Sequence, residues 1–339
     1  MRAAVLVEPG RFEVRHVEKP KPQPGEILVR IARTGICGTD MHIFHGNYAA
    51  ENLPMIPGHE FTGHVAELGQ GVPGPTIGQP VVVDMNIGCG QCYWCRRNEI
   101  LNCPDMQQLG ITMDGAFAEY IAVPARLVIA APERTPAEVL ALTEPLSCVV
   151  RAARKAQVTF GQSVVVIGAG PIGNLHVQLL RAIGAAPIIV SDISPERLET
   201  ARRCGADIAA TPDNLKEAVL NATDGRGADI VIESVGSPQL YGTAVELMRK
   251  GGHLAAFGLT GPGETIRLDI LQTILEENSV KGSVAGMGQD MHDALTMLTH
   301  GRIDTEPFAG ADYALEDIQL AFDSFADRPQ DLKTQIVMN

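Results

Sequence analysis

The rhythm of apolar and polar positions changes once along the chain, near Gln162. Before that point, short apolar-rich runs at 2–7, 12–17, 26–33, 64–68, 80–84 and 116–123 are separated by glycine and proline clusters such as 20–25 and 70–75. Such a series predicts strands joined by turns, and up to about Arg126 we read a partly open β-barrel carrying loops. Beyond it, apolar strands at 163–167, 188–191, 229–233 and 253–258 alternate with helical stretches at 171–184 and 195–204. That alternation predicts a parallel sheet with helices on both faces. After a last apolar strand of this series near 280–285, about fifty residues remain, too few to build a core of their own. No internal repeat or low-complexity tract interrupts the pattern.

Length and composition agree with two domains: 339 residues, 45% hydrophobic and 20% charged, suffice for two cores. Glycine, proline or charge breaks every apolar run before the roughly eighteen residues a membrane span needs, so no membrane association is expected. A net charge of −13 without a basic, aromatic-interleaved run argues against nucleic acid as a partner.

Candidate chemistry begins with the cysteines. Four of the seven, Cys89, Cys92, Cys95 and Cys103, are spaced C-x2-C-x2-C-x7-C beside Gly88 and Gly90. This spacing predicts a tetrahedral zinc site, which is structural because four thiolates fill the metal's shell. Disulfides fit less well, since Met1 to Arg15 carries no secretory apolar run, and the cytoplasm is the expected compartment. Of the other cysteines, Cys37, Cys148 and Cys204, only Cys37 lies among ligand-type residues, in Gly35-Ile36-Cys37-Gly38-Thr39-Asp40-Met41-His42. Cys37, His59 and either Glu144 or Glu60 would make three ligands and leave one zinc position open for substrate or water. From the residues alone, a satisfied core histidine and a small buried thiol remain the plain alternatives.

The run Val164-Val165-Val166-Ile167 leads into Gly168-Ala169-Gly170-Pro171-Ile172-Gly173 and then a helical stretch, with Asp192 ending the next strand nineteen residues beyond Gly173. In that context the glycines read as a dinucleotide fingerprint. Gly168 permits the turn, Gly170 admits a pyrophosphate, Gly173 lets helix and strand pack, and the helix N-terminus offers free N–H groups. Asp192 suits ribose hydroxyls and repels a 2′-phosphate, so NAD is expected over NADP. Arg197 either lies over the adenine or its ribose or is an ordinary exposed helix arginine.

These two zinc-type patterns, the fingerprint and their order resemble the zinc-dependent medium-chain dehydrogenases, and more closely their sorbitol (polyol) dehydrogenase branch, over nearly the whole chain. The resemblance implies an α/β fold. A GroES-like β-barrel catalytic domain (1–150 and 287–339, with a structural zinc lobe at about 88–104) would carry an inserted Rossmann NAD-binding domain (151–286), with zinc and nicotinamide in the cleft between. The last strand, at 334–338, would return to the first domain. Two zinc ions per chain and NAD are the implied cofactors. Cys37 and His59 would be catalytic zinc ligands. Glu144 would stand where alcohol dehydrogenases usually carry a second cysteine, Glu60 would be the glutamate that exchanges with water at the metal, and Cys148 lies one helical turn beyond Glu144. Thr39 and His42 would relay the substrate proton, and Asp40 would orient His59. Further cofactor contacts are expected at Pro171, Ile172, Val235, Phe257, Gly258, Leu259, Ser283 and Val284.

The implied activity is NAD-dependent oxidation of a secondary alcohol of a polyol or related small hydroxy compound to a ketone. Glu144-Pro145-Leu146-Ser147 favours the polyol branch, but two polar positions of that branch differ. Ala285-Gly286 replaces an arginine-tyrosine pair, and Ile43 replaces a tyrosine after the relay histidine. An L-threonine 3-dehydrogenase-like enzyme is the alternative, and a non-catalytic nucleotide-binding relative is disfavoured because the metal ligands are retained. The expected partners are the alcohol substrate and further copies of the chain, as a homodimer or homotetramer.

Overall fold

The computed structural model describes residues 1–325, 328 and 331–338. The chain forms two compact units, one of Met1–Ser147, Gly286–Gly301 and Phe308–Asn339, the other of Cys148–Ala285 and Arg302–Pro307. The chain crosses between the units after Ser147 and again before Gly286. The short piece Arg302–Pro307 groups with the second unit. Its Asp304 exchanges two hydrogen bonds with the Gln178 side chain, at 2.7 and 2.8 Å, and Glu306 pairs with Arg203 at 2.6 Å.

The first unit is built around the strand Glu26–Gly35. One edge pairs antiparallel with Glu60–Leu68. The other is shared, with Glu26 to Arg30 on Tyr120–Pro124 and Arg33 to Gly35 on Gln335–Val337. The expected C-terminal return is therefore a strand pairing. Pro80–Val83 and Val128–Ala130 extend the sheet, and the hairpin Arg2–Glu8 with Arg11–His16 docks through Ala4 and Leu6 N–H groups onto the Phe117 and Met55 carbonyls. Ile27, Val29 and Ile31, two residues apart as strand pleating requires, enter one core with Leu6, Phe12, Phe44, Phe117 and Phe322. Ring centroids of Phe322 lie 4.8, 5.1 and 5.8 Å from Phe12, Phe44 and Phe117. The expected strand at 116–123 begins only at Tyr120, because Ala116 and Phe117 give their N–H groups to the carbonyls of Gly58 and Pro57.

The second unit is a six-stranded parallel sheet in the spatial order Ile208–Ala210, Ile188–Ser191, Val164–Ile167, Ala228–Glu233, Met248–Ala256, Ser279–Gly282. Alternate residues serve opposite faces. Val164, Val166, Ile188 and Ile230 pack with Val177, Leu180 and Ala201, whereas Val165, Ile167, Ile189 and Val231 pack with Leu215, Val219 and Ala244. Four helices start with proline at their first position, Pro171, Pro195, Pro212 and Pro238, where the missing N–H costs nothing and the fixed φ already suits a helix. The strand expected at 253–258 starts earlier and stops at Ala256, since the Phe257 and Gly258 N–H groups turn to the Glu233 carbonyl. Chain order reverses between Val164–Ile167 and Ala228–Glu233, and the crevice at the carboxyl ends of such a pair is where doubly wound sheets bind ligands.

Among the described residues no helix is long and apolar enough to cross a membrane.

Candidate active site and cofactor site

The short helix Gly38–Phe44 organises the first cluster, and local hydrogen bonds fix its start. Cys37 is the N-cap, its Sγ accepting the Thr39 N–H at 3.2 Å, while Asp40 Oδ2 accepts the Cys37 N–H at 3.0 Å. This reciprocal cap turns the thiol and Asp40 inward. Cys37 Sγ lies 3.1 Å from His59 Nε2, and the other ring nitrogen, Nδ1, lies 3.4 Å from Asp40 Oδ1. Glu60 opens the strand Glu60–Leu68, opposite Gly35. Donor atoms of Cys37, His59 and Glu60 all lie within 4.8 Å of one another. Glu144, buried in the first turn of the helix Thr143–Ala156, does not belong to that group.

Lys333 completes the cluster and was not anticipated from the sequence. Its buried ammonium pairs with Glu60 and donates to the Ile36 carbonyl at 3.1 Å. A side chain at Gly35 would have no room, because a Cβ there would sit 2.5 Å from Glu60 Oε2 and 2.6 Å from Lys333 Cε. Burial raises the Cys37 thiol above its ordinary range, an effect His59 partly opposes. For His59 burial works the other way, yet Cys37 and Asp40 carry its pKa well above the usual value. Thiol, imidazole and carboxylate within one ligand sphere, with a carboxylate behind the imidazole, form a donor set that fits zinc. Thr39 lies half-buried in the same helix and His42 is exposed in its last turn.

The four lobe cysteines likewise bring their sulfurs within 4.8 Å of one another. Backbone N–H groups of Gln91 and Cys92 lower the Cys89 thiol to about 7, whereas burial, reinforced by the neighbouring sulfurs, pushes Cys95 up to about 12. Four thiols so close cannot all ionise without a cation, and tetrahedral zinc fits them.

In the second unit Gly168 follows its strand with φ +101°, and Gly170 caps the helix Pro171–Ile183, which contains Ile172 and Gly173. Asp192 closes the loop from the neighbouring strand. Its Oδ2 accepts the Ala169 N–H at 2.8 Å and its Oδ1 the Ser194 N–H at 2.9 Å, so the carboxylate shapes the glycine turn. Arg197 lies in the first turn of Pro195–Cys204, its backbone N–H bound to Ser194 Oγ. Val235 and Leu259 are about half exposed on the loops after adjoining strands, and Phe257 packs edge-on against His176 with centroids 5.2 Å apart. Ser283, followed by exposed Val284, leaves the edge strand with its N–H on the Ala256 carbonyl.

Comparison with known proteins agrees with this architecture. The GroES-like domain model of alcohol dehydrogenases matches residues 23–133, and the zinc-binding dehydrogenase model matches residues 171–300. An L-threonine 3-dehydrogenase of Pyrococcus horikoshii is 35% identical over 91% of this chain and 90% of its own. A sorbitol dehydrogenase of Halalkalibacterium halodurans is 32% identical over 95% of each. The chain belongs to the zinc-dependent medium-chain alcohol and polyol dehydrogenases. The alcohol dehydrogenase TADH from Thermus sp. ATN1 superposes with a TM-score of 0.93 at 30% identity, covering 100% of both chains. This medium-chain dehydrogenase therefore joins a GroES-like domain to a Rossmann domain and is a zinc-dependent oxidoreductase of hydroxyl compounds.

Proposed function

We propose that the enzyme oxidises a secondary alcohol of a short polyol, a diol or a related small hydroxy compound to the ketone, with NAD as acceptor. The observation that carries this reading is the convergence of Cys37, His59 and Glu60 donor atoms within 4.8 Å, an incomplete shell of the catalytic kind. Zinc, when bound, supplies a Lewis acid that eases loss of the alcohol proton, and NAD accepts the hydride. Cys37 and His59 would hold the metal, Asp40 keeps the His59 ring oriented, and Lys333 holds Glu60 beside them. Thr39 and His42 move the proton outward along the helix they share. Glu144, in the first turn of the helix Thr143–Ala156, is the alternative to Glu60 as the third ligand.

A short substrate is supported at the two positions that differ from the polyol branch. Ile43 is fully buried in the core and offers no hydroxyl. A Cβ at Gly286 would sit 2.0 Å from Ser147 Oγ, so the space of the missing polar side chain is closed. The 35% identical threonine dehydrogenase supports a second reading, oxidation of L-threonine. Following NADH formation with a panel of polyols, vicinal diols and L-threonine separates the two. Turnover of threonine alone would replace the polyol reading, and no turnover of any alcohol by zinc-loaded enzyme would defeat both.

Asp192 supports NAD over NADP by its negative charge at the ribose position. A homo-oligomer is supported by the exposed edge strand Ser279–Gly282 and the adjoining helix Ile270–Glu276, which leaves Ile270, Leu271, Ile274 and Leu275 exposed. Thiol ligands support a reducing, cytoplasmic location.

A further inference from the structure

We propose that Glu233 is a positioning residue that clasps the two loops presenting Val235, Phe257, Gly258 and Leu259 to the cofactor.

 The proposal rests on the cofactor reading above and adds a residue that touches no cofactor itself. Glu233 ends the strand Ala228–Glu233, beside the point where chain order reverses, and is completely buried. Its Oε1 accepts the Val235 N–H at 3.1 Å and the Gly236 N–H at 3.0 Å, and its Oε2 also accepts the Gly236 N–H at 3.0 Å. Its main-chain carbonyl accepts the N–H groups of Phe257 and Gly258, at 3.2 and 2.8 Å. One residue thus holds the loop after its own strand with its side chain and the loop after the next strand with its backbone. Tyr241 Oη closes the arrangement by donating to the Gly258 carbonyl at 2.6 Å. The fit leaves no slack. A Cβ on Gly258 would lie 2.2 Å from the Gly236 nitrogen and 2.5 Å from Glu233 Oε2, and one on Gly236 would lie 2.1 Å from the Leu259 carbonyl oxygen. Ser234, between the two halves of the clasp, bonds the Ile167 carbonyl through its N–H at 3.1 Å and its Oγ at 2.8 Å, which joins the same unit to the glycine turn.

The buried carboxylate faces backbone N–H groups and the Tyr241 hydroxyl at the ligand end of the sheet, and a leucine of similar size would accept none of these bonds. What it does supply is loop shape. Glu233→Gln keeps the volume but replaces one acceptor oxygen with a donor that faces the Gly236 N–H. The expected result, read by NADH fluorescence titration of zinc-loaded protein, is NADH affinity weakened by about tenfold or more. At saturating NAD, kcat and the KM for the alcohol should stay within about threefold of the parent, because the metal cluster is untouched. Gly258→Ala, which wedges the clasp open with the carboxylate retained, should weaken NADH binding in the same way. Tyr241→Phe, which removes one hydroxyl, should weaken it a few-fold and carries the test if the other two variants do not fold. A lower melting temperature with NADH affinity within about twofold of the parent would mean a merely structural carboxylate and would overturn the proposal. A parent chain that binds no NADH would overturn the cofactor reading, and the proposal with it.

Discussion

His59 and His176 are both buried, at 4% and 0% exposure, yet their surroundings drive them in opposite directions. His59 lies between a thiol and a carboxylate and is held well above the ordinary histidine range in spite of burial. His176, on the helix Pro171–Ile183, has no hydrogen-bond partner among the described residues on either ring nitrogen, and burial alone lowers it to about 3. One belongs to a donor group that could hold a metal, and the other is an apolar filler against Phe257. Burial lowers a histidine's pKa unless charges within reach of the ring oppose it, and that opposition separates the two.

The strongest way to break the contrast is at the thiol. Cys37→Ala should lower alcohol turnover at least about a thousandfold, remove about one zinc per chain by metal analysis and leave NADH affinity within about twofold. An active Cys37→Ala enzyme would sink the metal assignment. Next in size is Lys333→Met, which leaves Glu60 buried without its cation. Urea unfolding of the metal-free protein should show a loss of about 3–5 kcal/mol, smaller when zinc is added because Glu60 then has another cation to face. A loss below about 1 kcal/mol would mean the pair is not shielded from water as its 3% exposures indicate.

The smallest effect is expected at His176, where the sign follows from its lowered pKa. The unfolded chain takes up a proton below about 6.5 while the folded chain resists until about 3. Stability contributed by the neutral ring is thus complete above pH 6.5 and is lost as pH falls across that window, by at most about 1.4 kcal/mol per unit. His176→Leu should raise stability at pH 7 by about 1–3 kcal/mol, since it removes two unpaired buried nitrogens, and should flatten the acid dependence. Melting temperatures at pH 5 and pH 8 check both. A steeper acid loss in the variant would show that the ring has a partner after all.

Much of this enzyme was legible in the chain before folding was considered. The cysteine lobe lies within one short segment, so spacing alone brings its ligands together. The glycine turn is local too, and its neighbours announce it: a strand before, a helix after, and an acid at the end of the next strand. The catalytic cluster was less so. Cys37 and His59 were recognised as ligand types, but the choice between Glu60 and Glu144 was open, and the close group contains Glu60. Lys333 was missed because it stands in a polar stretch, Lys333-Thr334-Gln335, where nothing in the sequence marks it as buried. Glu233 was missed because a charged residue at a strand end ordinarily faces water. Short elements such as Gly38–Phe44, Val128–Ala130 and the pairing of Asn86–Ile87 with Gln107–Gln108 escaped because too few residues carry their periodicity.

By itself, the sequence determined what each segment becomes and which side chains can bind metal or phosphate. Backbone preference, proline and glycine placement and ligand spacing act over a few residues and need no distant partner. Only the tertiary structure decided that Lys333 meets Glu60 across 273 residues of chain, and that one buried carboxylate holds two loops. Such pairings depend on which buried faces pack together, and that is settled by the whole core at once.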